Sequence, residues 1–383
     1  MQYPQPETQT PPTGGYTEAH DTQGPHNAAR NTQHVPEEIA GGIQRLVSTL
    51  EEELAGVIVG QRSVVRGVLT ALLAGGHVLL EGVPGLGKTL LVRTLAECTD
   101  LTYGRIQFTP DLMPADIVGT DVMKPGEDGR SFSFQEGPVF ANLILADEIN
   151  RATPRTQSAM LEAMQEHAVT VGRKTHPLPE PFFVLATQNP IDLQGTYPLP
   201  EAQLDRFFFK LIVGYPTPDE LKEIARRTTG NASSERKVVM DGDTLQQLQR
   251  LVRDVPIAEP VLDYAARLVM ATHPEGSAEF GVRSAESGNG NAQGNSKSAL
   301  RTPNSEIARR YVRYGASPRA IQSLVLAGKV NAILSGRYNV SYDDLRRVLH
   351  PALRHRIVLN VEAQLQNVDA DSILTQLMHE VRE

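Results

Sequence analysis

The stretch that determines the fold reads His77-Val78-Leu79-Leu80-Glu81-Gly82-Val83-Pro84-Gly85-Leu86-Gly87-Lys88-Thr89. From Gly82 onward it fits G-x-x-x-x-G-K-[ST] at every fixed position, and the residues before Gly82 form the apolar run of a short buried strand. The residues after Thr89 place apolar side chains at helical spacing, at Leu91, Leu95 and Cys98. A strand, a glycine-rich loop and a helix in this order predict a phosphate-binding loop.

Such a loop has a definite chemistry. Its glycines let backbone N–H groups face phosphate oxygens, and the start of the following helix adds a partial positive charge. Lys88 is expected to bridge the β- and γ-phosphates of a nucleotide, and the Thr89 hydroxyl to hold Mg²⁺. A glycine-rich turn with a chance lysine is the alternative, and the flanking strand and helix argue against it. The predicted nucleotide-binding residues are Gly82, Val83, Pro84, Gly85, Leu86, Gly87, Lys88, Thr89 and Leu90.

Composition limits the class of protein. The 383 residues are 40% hydrophobic and 21% charged, which suits a globular chain with a sizeable core. A formal net charge of −8 argues against bulk electrostatic binding to nucleic acid or anionic lipid. The single cysteine, Cys98, excludes an internal disulfide and is predicted to be a small core residue. With neither a signal peptide nor a membrane-spanning apolar run in the sequence, the expected location is the cytoplasm.

The chain divides into segments of different composition. Residues 1–36 are rich in Pro, Gln, Thr and Asn and are predicted to be a disordered tail. Residues 37–214 alternate apolar strands with helical patterns, which predicts an α/β domain with a parallel sheet and helices on both faces. Residues 215–383 are predicted to form a mostly helical domain, with helices that include Ser305–Tyr314 and Ser341–Val358. A low-complexity loop at 284–302 interrupts it.

Two helical patterns precede the phosphate loop, and a short turn joins them. Val59, Gly60 and Gln61 lie in this turn. A turn at this place is well positioned to cover the base of a nucleotide. An ordinary helical hairpin explains the spacing equally well, so both interpretations stand at this point.

An acidic pair follows a second apolar run. Asp147 and Glu148 end the strand pattern that begins at Asn142. At the end of a strand beside a phosphate loop, Asp147 is expected to hold the hydration shell of Mg²⁺, and Glu148 to polarise an attacking water. Asn189 ends another buried strand and could hydrogen-bond the water or the γ-phosphate, although a polar strand end before Pro190 is also common turn chemistry.

Together these segments resemble the MoxR-type AAA+ ATPases. The matching stretches include ADEINR at 146–151, TQSAMLEAMQE at 156–166, ATQNP at 186–190, GTYPLPEAQLDRF at 195–207 and GASPRA at 315–320. They occur in the family's order over about residues 37–360. Two parts of the chain depart from the family pattern: the tail before Glu37 and the loop at 284–302.

The resemblance implies further roles. Asn189 corresponds to sensor 1, Arg206 to an arginine finger that acts on a nucleotide in a neighbouring subunit, and Arg319 to sensor 2. The resemblance also implies that ATP is the nucleotide. Hairpins around Phe132 and Val169–Thr175 are similar to the family's two inserts, which would face the central opening of a ring, and surface decoration is the alternative that the sequence leaves open.

The family resemblance implies a function as well. It is ATP hydrolysis in a ring, expected to be a hexamer, that remodels partner proteins or helps to insert a metal or cofactor. Partners with von Willebrand factor A domains are expected, and membrane insertion is not. A magnesium-chelatase-like subunit and a nucleic-acid-remodelling AAA+ motor remain alternatives, although the acidic balance disfavours the motor. A non-hydrolysing switch is disfavoured because Lys88, Asp147, Glu148 and Arg206 are all present.

Overall fold

The computed structural model describes residues 37–83, 85–126, 129–190, 195–229, 236–274 and 305–383. The predicted tail at 1–36, the predicted loop at 284–302 and Pro84 lie outside the described residues. The described residues form one compact unit. None of the described helices combines the length and the apolar character that crossing a bilayer requires.

The strands and helices alternate along the first half of the chain, and helices dominate the second half. The strands are β1 (Val78–Glu81), β2 (Tyr103–Gln107), β3 (Gly119–Gly126), β4 (Gly129–Glu136), β5 (Leu143–Asp147), β6 (Ala168–Val171), β7 (Lys174–Pro177), β8 (Phe183–Gln188), β9 (Phe209–Ile212), β10 (Val312–Tyr314) and β11 (Val358–Leu359). The helices are α1 (Glu37–Ala55), α2 (Arg62–Ala74), α3 (Lys88–Thr99), α4 (Pro114–Val118), α5 (Pro154–Glu166), α6 (Glu201–Leu204), α7 (Pro218–Thr229), α8 (Gly242–Asp254), α9 (Glu259–Ala271), α10 (Glu306–Tyr311), α11 (Pro318–Leu334), α12 (Tyr342–Leu353), α13 (Val361–Leu365) and α14 (Ala370–Glu380).

A five-stranded parallel sheet with the order β2-β5-β8-β1-β9 forms the centre of the fold. Successive residues of its strands enter different hydrophobic clusters: Val78 and Leu80 join one, and Leu79 joins the other. Because side chains alternate across a strand, both faces of the sheet are covered. The predicted fold class, a parallel sheet with helices on both faces followed by a mostly helical domain, here called the lid, is therefore confirmed.

The helical second half packs on one face of this sheet. Helix α11 contacts α1 and α2, and α12 contacts β9. Leu324 and Leu349 from these helices belong to the same hydrophobic cluster as Leu80. Cys98 is fully buried in that cluster, as predicted for a small core residue.

Both predicted hairpins are present. Strands β3 and β4 form one, and β6 and β7 form the other. The Phe134 ring stacks on the His176 ring with 3.9 Å between centroids, which joins the two hairpins. Phe132 lies two residues before Phe134 in β4 and is 72% exposed.

Two helix predictions are wrong at their carboxyl ends. The pattern Ser305–Tyr314 gives a helix only to Tyr311, because Val312–Tyr314 pairs antiparallel with Val358–Leu359. The pattern Ser341–Val358 gives a helix only to Leu353, and its last residue, Val358, belongs to the strand that pairs with Tyr314. The pairing joins segments distant in sequence, and helical periodicity carries no signal for it.

Candidate nucleotide-binding site

The phosphate loop lies between β1 and α3. Lys88 is the first residue of α3, two residues earlier than the sequence pattern indicates. Gly85 and Gly87 have φ values of 83° and 76°, and a side chain at either would meet open space. Glycine adopts this left-handed conformation at no steric cost, which explains its use here. Lys88 Nζ donates to the Gly82 carbonyl at 2.6 Å, within the loop itself.

The predicted acidic residues lie at the same edge of the sheet. Strands β5, β8 and β1 are neighbours and parallel, so their carboxyl ends meet. These ends carry Asp147 with Glu148, the buried Asn189, and Gly82. Burial lowers the pKa of Lys88, and the nearby carboxylates of Asp147, Glu148 and Glu81 counter this by favouring its charged form. The Lys88 ammonium and several carboxylates thus converge where a triphosphate would lie.

Asp147 and Glu148 have partners that the sequence analysis missed. Asp147 accepts a hydrogen bond from Thr187 Oγ1 at 2.7 Å and pairs with Arg105 Nη2 at 2.8 Å. The hydrogen bond to Asp147 raises the pKa of Arg105. Arg105 and Gln107 are two residues apart in β2, so their side chains lie on the same face of the sheet. Gln107 is in register with Asp147 on the neighbouring strand, which brings Arg105 near Asp147. Strand pairing was the signal needed to find Arg105, and sequence alone does not contain it.

Glu148 is held in an unusual backbone conformation. Its φ of 56° and ψ of 49° lie in the left-handed region. Its N–H donates to Thr187 Oγ1 at 2.8 Å, and its carboxylate accepts from Gln107 Nε2 at 3.0 Å and Arg151 Nη1 at 2.8 Å. A non-glycine residue in this region costs on the order of 1 kcal/mol or more, and these contacts hold it there.

The donor atoms suit a magnesium ion that is bound together with a nucleotide. Mg²⁺ in such sites takes one or two protein oxygens and completes its shell with phosphates and waters. Thr89 offers a hydroxyl in the first turn of α3, and Asp147 offers a carboxylate at the end of β5. Among the described residues no group of three His, Cys, Asp or Glu forms a cage for a metal, and a nucleotide-dependent site needs none.

The turn between α1 and α2 touches the phosphate loop. Gln61 has a φ of 54°, and its Nε2 donates to the Leu86 carbonyl at 3.2 Å. Gly60 has a φ of 66°, and a side chain on it would collide with Glu220 of α7. Arg227, also on α7, donates to the carbonyls of Ala55 and Gly56 at 3.1 and 2.8 Å. The turn with Val59, Gly60 and Gln61 is therefore placed beside the loop and fixed by α7.

Arg206 and Arg319 lie elsewhere. Both line a cavity of about 230 Å³ that also contains His77 and Phe208, the residues just before β1 and β9. Arg206 Nη1 donates to the Leu161 carbonyl at 3.1 Å, and Arg319 Nη1 lies 3.7 Å from Asp205 Oδ2. The cavity is thus at the amino-terminal edge of the parallel strands, whereas the phosphate loop is at the carboxyl-terminal edge.

The separation of these edges is larger than an arginine side chain. Strand β1 connects them, and at about 3.3 Å per residue it spans about 13 Å from His77 to Glu81. The structure therefore brings Lys88, Asp147 and Glu148 together with the loop, and Asn189 ends the strand between them. It brings Arg206 and Arg319 together at a second place.

Comparisons with known proteins agree with this architecture. Residues 77–209 match the sequence model of the ATPase family associated with various cellular activities (AAA), and residues 304–377 match that of the AAA lid domain. The chain is 40% identical over 372 residues to Chaperone MoxR1 of Mycobacterium tuberculosis, covering 96% of this chain and 90% of that protein. It is 32% identical over 322 residues to Protein MoxR of Paracoccus denitrificans, covering 81% and 88%.

A solved structure is similar too. The crystal structure of a proposed ATPase from Cytophaga hutchinsonii superposes with a TM-score of 0.77 at 37% sequence identity. The match covers 90% of this chain and 97% of the other. The similarity therefore extends over the sheet and the helical second half together.

Proposed function

Because the chain belongs to the MoxR family of AAA+ ATPases and is an ATPase, we propose that it hydrolyses ATP with Mg²⁺ at sites shared between subunits of a ring. The position of Arg206 and Arg319 carries this proposal. Both arginines lie at the edge of the sheet opposite the phosphate loop of their own chain. An arginine there can reach a nucleotide only if a second copy presents one.

Different residues around the phosphate loop are assigned to phosphate binding, metal binding and activation of the water. Lys88 and the loop N–H groups would hold the phosphates, and Thr89 and Asp147 would hold Mg²⁺. When bound, this ion neutralises phosphate charge and orients the γ-phosphate. Glu148 orients and polarises the attacking water, with its carboxylate fixed by Gln107 and Arg151. Asn189, at the end of the neighbouring strand, hydrogen-bonds the water or the γ-phosphate.

Arg206 and Arg319 complete the site of the adjacent subunit. Their guanidinium groups would stabilise the charge that develops on the γ-phosphate, which a planar fork of donors suits. Val59, Gly60 and Gln61 would contact the adenine, since Gln61 already binds the loop carbonyl of Leu86.

The output of hydrolysis is proposed to be work on a partner protein. One similar protein is named a chaperone, which supports remodelling, and insertion of a metal or cofactor into a partner belongs to the same proposal. The exposed Phe132 and Met123 face each other across β3 and β4 and offer an apolar contact at the hairpin. A von Willebrand factor A domain is the proposed partner class, and nucleic acid is not expected at a net charge of −8.

The remaining assignments are also proposals. The domains are taken as 37–214 and 215–383, and the two family matches fall on either side of that division. A hexamer and a cytoplasmic location are the proposed assembly and compartment.

The test is the rate of ATP turnover per subunit over a wide range of protein concentration. A shared site requires this rate to rise with concentration and to fall by about 10³-fold or more in Arg206→Ala, the effect typical of a trans-acting arginine. Arg206→Ala added to wild type is expected to inhibit it. A rate that is independent of concentration and survives Arg206→Ala would contradict the shared site. Arg155→Ala, an exposed arginine on α5, is the control.

A further inference from the structure

Three residues join the lid to the segment that carries Arg206. Building on the proposed shared site, we propose that Asp205, Ser317 and Arg356, here called the lid clamp, position Arg206 and Arg319 as one unit for the neighbouring nucleotide. None of the three touches the nucleotide in this scheme. They are positioning residues, and the sequence motifs give them no role.

Arg356 holds the backbone on both sides of Arg206. Its side chain is 2% exposed. Its Nη2 donates to the carbonyls of Asp205 at 3.3 Å and Phe207 at 2.8 Å, and its Nη1 donates to those of Phe208 and Ala352. The residues immediately before and after Arg206 are thus fixed by one guanidinium that belongs to the lid.

Asp205 connects this guanidinium to the helix that carries Arg319. Its Oδ1 accepts from Arg356 Nε at 2.9 Å and from Ser317 Oγ at 2.7 Å. Ser317 is the N-cap of α11, and its Oγ also accepts the N–H of Arg319 at 3.2 Å. Arg319 itself lies 3.7 Å from the same carboxylate. The Asp205 carboxylate therefore connects the first turn of α11 to the chain segment that carries Arg206.

The chemistry of the lid clamp makes it sensitive to substitution. Arg356 is buried among backbone carbonyls, and Asp205 is the carboxylate that pairs with it. Removing one partner of a buried pair leaves the other without compensation, so the local structure rearranges. Catalysis by a distant arginine depends on placement within about 1 Å. Loss of the clamp should therefore affect turnover and leave nucleotide binding at the opposite sheet edge intact.

The chain offers a matched control for this effect. Asp344 is a buried carboxylate that, like the half-buried Asp205, pairs with an arginine and a helix-capping serine: Arg337 Nη2 lies at 2.7 Å and Ser341 Oγ at 2.7 Å. All three residues lie within 337–344, away from Arg206 and Arg319. Asp344→Asn removes the same kind of pair as Asp205→Asn, without a link to either arginine.

The first measurement compares these two variants by steady-state kinetics and by titration with a fluorescent ATP analogue. Asp205→Asn is expected to lower kcat by about 10- to 100-fold with nucleotide affinity within about two-fold of wild type. Asp344→Asn is expected to keep kcat per folded subunit. Equal losses of kcat in both variants, or lost nucleotide binding in Asp205→Asn, would overturn the proposal. Should Asp205→Asn fail to fold, Ser317→Ala removes one contact and undergoes the same tests.

Mixing experiments separate the clamp from a general structural defect. Lys88→Ala chains have no working phosphate loop but an intact clamp, and Asp205→Asn chains have the reverse. Equimolar mixed rings are expected to regain about one quarter of the wild-type rate, because about one interface in four pairs a working loop with working arginines. A mixture no more active than its separate components overturns the clamp.

A parallel mixture of Arg206→Ala with Lys88→Ala tests the shared site on its own. Recovery there without recovery for Asp205→Asn refutes the clamp and leaves the proposed function in place. Failure of both mixtures refutes the shared site, and the clamp's role with it.

Discussion

At the scale of single residues, Glu148 links backbone geometry to chemistry most directly. Its left-handed backbone turns the carboxylate toward Gln107 and Arg151 and away from the direction that a regular strand would give it. Asp147, one residue earlier, stays in β5 and binds Thr187 and Arg105. Two adjacent acids therefore have different surroundings, which suits one to a metal shell and the other to a water.

Glu148→Gln is expected to lower ATP turnover by at least about 100-fold, because an amide cannot accept a proton from the attacking water. Binding of the nucleotide is expected to persist, since Lys88 and the loop remain. Phosphate release and titration with a fluorescent nucleotide measure the two effects. Glu162→Gln, an exposed position on α5, is the control. Near-normal turnover in Glu148→Gln would show that Glu148 does not activate the attacking water.

A second residue-scale prediction concerns acid stability. Burial lowers the pKa of His77 to about 4 from 6.5. Its Nδ1 accepts the N–H of Val184 at 3.1 Å, so the neutral ring donates from Nε2 to the Met164 carbonyl at 2.9 Å. The unfolded chain binds a proton at higher pH than the folded chain does. The stability of the folded chain that depends on neutral His77 is therefore fully present above pH 6.5. It is lost as the pH falls toward 4, by up to about 3 kcal/mol of unfolding free energy.

Urea unfolding at several pH values measures this loss. His77→Gln is expected to flatten the dependence of unfolding free energy on pH between 6.5 and 4. Some slope remains, since burial also holds the pKa of His355 well below its usual value. An unchanged slope in His77→Gln would show that His77 is not buried in its neutral form.

The sequence predicted the residues around the phosphate loop better than the residues that support them. Lys88 and Glu148 stand in motifs whose spacing along the chain is fixed. Arg105 and Arg356 act through partners 42 and 151 positions away, and no local pattern marks them. Such residues become visible only when strand pairing and lid placement are known.

At the scale of elements, the turn between α1 and α2 combines strained backbone with contacts to two other parts of the chain. Gly60 is in the left-handed region and lies against Glu220, and Gln61 binds the phosphate loop. Gly60→Ala is expected to destabilise the fold by about 1–2 kcal/mol and to weaken nucleotide binding. Thermal unfolding and nucleotide titration test both effects.

Gly42→Ala is the matched control for that turn. Gly42 lies inside α1, and a side chain there meets no atom within 4 Å. The substitution is expected to stabilise the chain by about 0.5–1 kcal/mol, since alanine favours a helix interior, and to leave nucleotide affinity unchanged. If Gly60→Ala behaved like Gly42→Ala, the turn would have no part in the site.

Elements with strong internal periodicity were predicted well, and elements formed by distant pairing were not. The apolar runs of β1, β5 and β8 are buried on both faces and stand out in the sequence. Strand β10 has three residues and follows a helix directly, so its periodicity continues the helical pattern. Pairing with β11 decides its structure instead.

At the scale of the whole molecule, the two edges of one sheet carry the two halves of the proposed site. Glu148→Gln with ATP is expected to collect in a complex of six times the 41.9 kDa chain mass, because the nucleotide joins neighbouring subunits and is not consumed. Light scattering coupled to size exclusion measures the mass. Monomers at saturating ATP would contradict assembly through the nucleotide.

The position of the lid is the part of the molecule that the sequence predicted least. Helical patterns after Pro216 indicated a helical domain, but they did not indicate which face of the sheet this domain would cover. The burial of α11 and α12 against α1, α2 and β9 depends on side chains from the entire chain. That packing puts Arg319 beside Arg206 and far from the phosphate loop of its own chain.

In the proposed ring, the placement of loop and arginines at opposite edges of the sheet would give each subunit a direction. Copies that join head to tail in an open string leave one nucleotide without arginines at one end and one arginine pair without a nucleotide at the other. Closing the string joins those two ends, so the last interface adds a working site without adding a subunit. In the proposed ring, closure would therefore add a complete catalytic site as well as contact area, and an open string would always have one complete site fewer than it has subunits.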